Sequence, residues 1–169
     1  AERLNQDSIV ENIEAIQSYS DDKNFSLLVK SIRESINKNE PETALDRLHT
    51  YAMKYIRLLC DKHHIDYDKD TPLHSIFGGY VKFLMKNNIV ESEMTERILK
   101  SSISILESFN KVRNEQSFAH DNPILNYNES ILILNNIASS IRFIQSIEKD
   151  GEESKKPESV EPDWDKIPF

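Results

Sequence analysis

Residues 41–64 read PETALDRLHTYAMKYIRLLCDKHH, the longest helical pattern in the chain. Pro41 suits the first turn of a helix, because its missing N–H would have no intrahelical partner there. Apolar residues follow at three- and four-residue steps: Leu45, Leu48, Ala52, either Tyr55 or Ile56, and Leu59. This spacing puts them on one helical face. We interpret His63 and His64 as the C-terminal end of this helix rather than as zinc ligands, because a cation near the last carbonyls of a helix is favourable.

Amphipathic segments flank this helix on both sides. We predict helices over about residues 7–18 and 22–37, then helices that begin near Thr71 and near Ser92, and one over about residues 128–148. The predicted stripe of the helix near Ser92 is Met94, Ile98, Ile105, Phe109 and Val112. The predicted core comprises Phe25, Leu48, Ile76, Leu84, Ile105, Phe109, Ile137 and Ile141. Short connections between long helices favour an antiparallel all-α bundle of five or six helices within residues 1–149.

The composition favours a soluble cytoplasmic protein of one domain. The chain has 169 residues and only three glycines. Its single cysteine, Cys60, cannot form an internal disulfide, which fits a reducing compartment. No apolar stretch approaches the roughly 20 residues that span a bilayer, so we expect no membrane association. The first residue is alanine rather than methionine, which is compatible with a fragment of a longer protein.

The net charge of −8 argues against broad attraction to nucleic acid, which depends on neutralising phosphates with Lys and Arg. Residues 150–169 supply half of that charge, with seven acids against three lysines, and hold three of the six prolines. Apolar periodicity stops after Lys149. We therefore predict a helical domain over residues 1–149 and a disordered acidic tail over residues 150–169.

No metal or cofactor site is predicted. Residues 60–70, CDKHHIDYDKD, space three aspartates as a calcium loop does. However, the sixth loop position would be Thr71 rather than Gly, and the twelfth would be Phe77 rather than Glu. His49 and His74 stand alone in the sequence, and lone histidines are usually structural.

Residues 112–123, VRNEQSFAHDNP, crowd more polar chemistry together than a turn needs. If the preceding helix continues, Arg113 and His120 are seven residues apart and share one face, about 10 Å apart along the axis. If the helix breaks near Asn114, a short loop could fold His120 back toward Arg113. The structural alternative is an ion pair of Arg113 with Glu107, with Asn114 capping a helix end and His120 starting the turn.

The wider context favours the functional interpretation. Residues 45–147, with TPLHSIFGGYVKFL, VRNEQSFAH and a closing amphipathic helix, resemble the C-terminal domain of abortive-infection proteins, a member of the HEPN superfamily. The signature of that superfamily is an Arg, usually a polar residue, four to six further residues and a His, which Arg113, Asn114 and His120 match. One departure is Asp121, where related domains often have Gly.

The resemblance implies a metal-independent endoribonuclease that acts as an abortive-infection effector, with Arg113, Asn114 and His120 as its catalytic residues. It also implies RNA as the substrate, and a homodimer in which two motifs share one cleft. An antitoxin is a possible further partner. The alternative is a noncatalytic helical module that binds a partner, because a fold alone does not define an activity.

The end of the tail suggests a binding site for another protein. Residues 160–169, VEPDWDKIPF, hold the only tryptophan of the chain among acids. This acidic stretch that closes in Ile-Pro-Phe resembles the tip of bacterial single-stranded DNA-binding proteins, although Lys166 stands where an acid is usual. The residues expected to contact a receptor of such tips are Trp164, Asp165, Ile167, Pro168 and Phe169. Docking of the tail onto the protein's own bundle is the other explanation.

Overall fold

A computed structural model of the chain describes residues 23–116 and 127–154. Every regular element in these ranges is a helix: α1 Lys23–Asn37, α2 Pro41–Lys62, α3 Leu73–Lys86, α4 Glu93–Gln116 and α5 Tyr127–Glu153. The predicted all-α class is confirmed, while the helix predicted over residues 7–18 lies outside the described residues. Among the five described helices, none combines the length and the apolar character that crossing a membrane requires.

Helix α2 lies at the centre of the bundle, because α1, α3 and α5 all pack against it. Its buried residues therefore extend beyond one stripe: Ala44, Leu45, Leu48, Tyr51, Ala52, Tyr55, Ile56, Leu59 and Cys60. The sequence left open whether Tyr55 or Ile56 faces the core. Both do, since a helix with neighbours on several sides buries more than one face.

Three helices end in the same hydrogen-bonded motif without glycine. Asn39, His64 and Asn88 each lie two residues past a helix end and adopt positive φ angles of 62°, 56° and 54°. At the end of α2, the Ile65 N–H donates to the Cys60 carbonyl at 2.8 Å and the His64 N–H donates to the Asp61 carbonyl. This pattern of two bonds satisfies carbonyls that the helix leaves free. The prediction that His63 and His64 close this helix is confirmed.

Helix α4 packs through a different face from the predicted one. Its buried residues are Leu99, Ser102, Leu106 and Phe109. The predicted stripe was wrong at Met94 and Ile98, which are 66% and 56% exposed, and Ile105 is only half-buried. The face turns because Ser102 can be buried: its hydroxyl donates to the Ile98 carbonyl at 3.1 Å and lies 2.8 Å from the Ser140 hydroxyl of α5. A satisfied serine costs little to bury.

The remaining predicted core residues agree with the structure where it describes them. Leu48, Ile76, Leu84, Phe109, Ile137 and Ile141 are buried, whereas the side chains of Phe25 and Val112 lie outside the described part. Helix α5 continues to Glu153, past the predicted boundary at Lys149. Ion pairs support this last turn, with Lys62 Nζ at 2.6 Å from Glu152 and Lys149 Nζ at 3.9 Å from Glu153. The rest of the predicted disordered tail, residues 155–169, lies outside the described residues.

Candidate functional site

Arg113 and Asn114 lie in the last turn of α4, which runs as far as Gln116. The helix thus includes Asn114, and Gln116 is the last described residue before residue 127, so both predicted geometries for His120 concern residues outside the described part. His120 lies outside the described residues, so its distance from Arg113 remains a prediction. Trp164, Asp165, Ile167, Pro168 and Phe169 also lie outside them.

The observed face of α4 places position 113 on the side that packs into the bundle. Position 113 follows Phe109 by four residues and Leu106 by seven, so at 100° per residue it lies within about 40° of both. The predicted stripe, which ended in Val112, would have turned the buried face of α4 by about one residue position around the helix. By helical spacing, position 113 thus continues the line of core positions at the C-terminal end of α4.

Two buried polar side chains lie toward the end of the bundle where α4 ends. Neither of them was predicted as a site residue. His49 of α2 is only 6% exposed, and its ring centroid is 5.9 Å from that of Phe109. Ser130 of α5 is fully buried, and its hydroxyl has no hydrogen-bond partner among the described residues. Because α4 and α5 run antiparallel from the Ser102–Ser140 contact, position 113 and Ser130 both lie about 15 Å from it on the same side. The otherwise apolar interior at the end of the bundle that carries the motif therefore includes two polar side chains.

A second polar cluster lies around Glu148, near the C-terminal end of α5. The Glu148 side chain is 4% exposed. It accepts hydrogen bonds from the Tyr80 hydroxyl of α3 at 2.5 Å and from Lys62 Nζ at 3.0 Å, and His63 Nε2 lies 2.8 Å from it. Lys62 also contacts Glu152 at 2.6 Å. One buried carboxylate thus joins the C-terminal end of α2, the middle of α3 and the last turns of α5.

The electrostatics of this cluster favour the ionised carboxylate. Burial by itself opposes ionisation, but hydrogen bonds from Tyr80, Lys62 and His63 together lower the pKa of Glu148 below its usual value. A lowered pKa makes Glu148 a poor general acid near neutral pH. The cluster is better suited to hold three helices together than to transfer protons.

The sequence contained a signal for Glu148. The apolar stripe of α5 runs through Ile137, Ile141 and Ile144, and Glu148 continues it by four residues. A carboxylate on a core-facing stripe requires cationic or hydroxyl partners. The HH pair at the end of α2 provides one of them, but the sequence alone does not tell which helix approaches.

Cys60 has no features of a nucleophile. It is fully buried in α2. Burial, and next the negative charge of Asp61, raise the pKa of its thiol to about 11. Because the thiolate is the reactive species, this residue belongs to the core.

Comparison with known proteins agrees with the fold. A family model for Abi_C, described as a HEPN-like domain, matches residues 13–148. No curated protein and no solved structure matches the chain significantly. Since the model covers most of the chain, including α1 to α4 and nearly all of α5, this protein belongs to the Abi_C family of HEPN-like domains.

Proposed function

We propose that this protein is a metal-independent endoribonuclease of the HEPN type that acts as an abortive-infection effector. The observation that carries the proposal is the coincidence of the family match with the motif of Arg113, Asn114 and His120. Arg113 lies in the last turn of α4, at the end of the bundle where the polar side chains of His49 and Ser130 are buried, and this supports the proposal.

The three motif residues suit cleavage of RNA, which carries its own nucleophile, the 2′-hydroxyl. Attack of the 2′-oxygen on phosphorus breaks the bond to the 5′-oxygen and leaves a 2′,3′-cyclic phosphate and a 5′-hydroxyl. One proton must leave the 2′-oxygen and one must reach the 5′-oxygen, and His120 can exchange one of them near neutral pH. Arg113 stays cationic and can donate two hydrogen bonds to the phosphate oxygens. Asn114 would orient the phosphate or the imidazole.

The test of this proposal uses total RNA and the purified full chain in excess EDTA. We expect cleavage to continue in EDTA and to yield cyclic-phosphate ends, which can be identified because they resist ligation until they are opened and the phosphate is removed. The matched control is the His120→Ala variant prepared in the same way, which separates this activity from contaminating ribonuclease. Equal cleavage by both proteins would contradict the proposal.

A homodimer follows from the small number of acid-base groups in one chain. One histidine cannot both accept and donate a proton in a single step, whereas a two-fold axis would bring a second copy of the motif to the same cleft. We expect light scattering to give twice the mass of the chain, and specific activity to fall on dilution below the dissociation constant. A monomer whose specific activity is independent of concentration would contradict this prediction.

A noncatalytic binding module is the second candidate function. It is favoured by Asp121, where related domains often have Gly, and by a groove that opens beside Glu148. In that case the protein would bind through its groove or its C-terminal tail and would not cleave RNA under any of these conditions.

A further inference from the structure

A groove of about 430 Å³ opens beside the Glu148 cluster, at the other end of α2 from His49. His49 and His63 are fourteen positions apart, which corresponds to about 20 Å along the helix axis. The groove is therefore separate from the candidate ribonuclease site, and an inference about it does not depend on the proposed function.

The walls of the groove combine apolar and charged side chains. Phe83 and Ile147 are partly buried, and Ile89 is 44% exposed. The His63 ring lies on Phe83, with the ring centroids 4.4 Å apart. This arrangement can hold an aromatic side chain, while Lys62 Nζ at the rim can contact an acid. The ligand that fits is a short peptide with both aromatic and acidic residues.

The chain itself supplies such a peptide at the rim of the groove. Gly151, Glu152 and Ser154 line the groove, and Ser154 is the last described residue. The next fifteen residues, 155–169, can span at most about 50 Å when fully extended, which is ample to fold back. They include Trp164, which lies between Asp163 and Asp165, and Phe169, two large apolar residues in an otherwise acidic stretch.

We propose that residues 160–169 of the same chain occupy this groove. An aromatic side chain of the segment packs against Phe83, Ile89 and Ile147. An acidic residue of the segment contacts Lys62 in place of Glu152, whose carboxylate is 58% exposed and can turn into solvent. A short flexible tether gives an effective concentration of millimolar order, so even weak contacts hold the segment in place.

Trp164 makes the proposal directly measurable, because it is the only tryptophan in the chain. In the full chain we expect blue-shifted tryptophan emission and protection from acrylamide quenching. Ile89→Asp should shift the emission to the value of a solvent-exposed tryptophan, because a carboxylate without a partner in the apolar wall weakens docking by more than about 100-fold. Ile89 lies between helices and is exposed enough that the helical signal should be unchanged.

A second variant blocks the groove without adding charge. A Cβ at Gly151 would meet nothing within 4 Å, so Gly151→Gln fits the folded domain and projects into the space that the segment needs. It should have the same effect on Trp164 as Ile89→Asp. The matched control is Leu132→Asp, a 70% exposed leucine near the other end of α5, which should leave the emission unchanged.

Two results would overturn the proposal. Solvent-like emission and quenching of Trp164 in the unaltered chain would show that the segment does not occupy the groove and is available to an outside receptor. Blue-shifted emission that disappears on dilution would show that the segment docks on a second copy rather than on its own chain.

Discussion

Replacing Arg113 or His120 with alanine is expected to slow RNA cleavage by at least about 100-fold each. The His120 variant would lack the group expected to accept or donate a proton at the 2′- or 5′-oxygen. The Arg113 variant would lack the cation expected to stabilise the negative charge of the pentacoordinate phosphorus. Initial rates on a defined RNA, measured at fixed protein concentration, would show the change.

The control for Arg113 is available on the same helix. Arg97 is exposed and pairs with Glu93 at 2.6 Å in the first turns of α4, far from the motif. Arg97→Ala should therefore retain the full cleavage rate, which separates a local role of Arg113 from a general effect of helix charge. Melting temperatures of both alanine variants close to that of the unaltered protein would exclude unfolding as the cause. Full cleavage by folded Arg113→Ala or His120→Ala would favour the noncatalytic binding module.

Glu148→Ala is expected to lower the free energy of unfolding by about 2 kcal/mol, the usual effect of removing the partner of a buried polar group. The Tyr80 hydroxyl, which is fully buried, would lose the carboxylate as an acceptor, and the partly exposed Lys62 would lose one of its two carboxylate partners. Urea denaturation followed by circular dichroism measures the change.

Glu152 provides the matched control, because it contacts the same lysine but is 58% exposed. Exposed ion pairs contribute at most about 1 kcal/mol, so Glu152→Ala should change stability only slightly. Similar effects of Glu148→Ala and Glu152→Ala would contradict the importance of the buried cluster.

The same cluster predicts a pH dependence with a definite sign. The pKa of Glu148 is lowered in the folded protein relative to its usual value of 4.5. Its unfolded form therefore binds a proton first as the pH falls, and the stabilisation from its charge is complete above pH 4.5 and lost as the pH falls through the folded pKa. The stability difference between the unaltered protein and Glu148→Gln should shrink in acid. A constant difference between pH 7 and pH 3 would contradict this assignment.

The sequence by itself determined the helical class, the central stripe of α2 and the approximate starts of the described helices. These features depend on local chemistry, namely the spacing of apolar residues, Pro41 at a helix start and the histidines at a helix end. The motif of Arg113, Asn114 and His120 was also visible, because it is a short linear pattern. The predicted family of the protein is confirmed, whereas the catalytic roles of the motif residues remain predictions.

Only the tertiary structure decided which face of α4 is buried and what partners Glu148 has. Met94 and Ile98 form as good an apolar stripe as Leu99 and Leu106, and the choice between them depends on a hydroxyl of another helix, that of Ser140, which satisfies Ser102. Likewise, a carboxylate on a core-facing stripe becomes stable only when Lys62 and Tyr80, from two other helices, reach it. Burial of a polar group depends on partners distant in the chain, and no local spacing of residues encodes them.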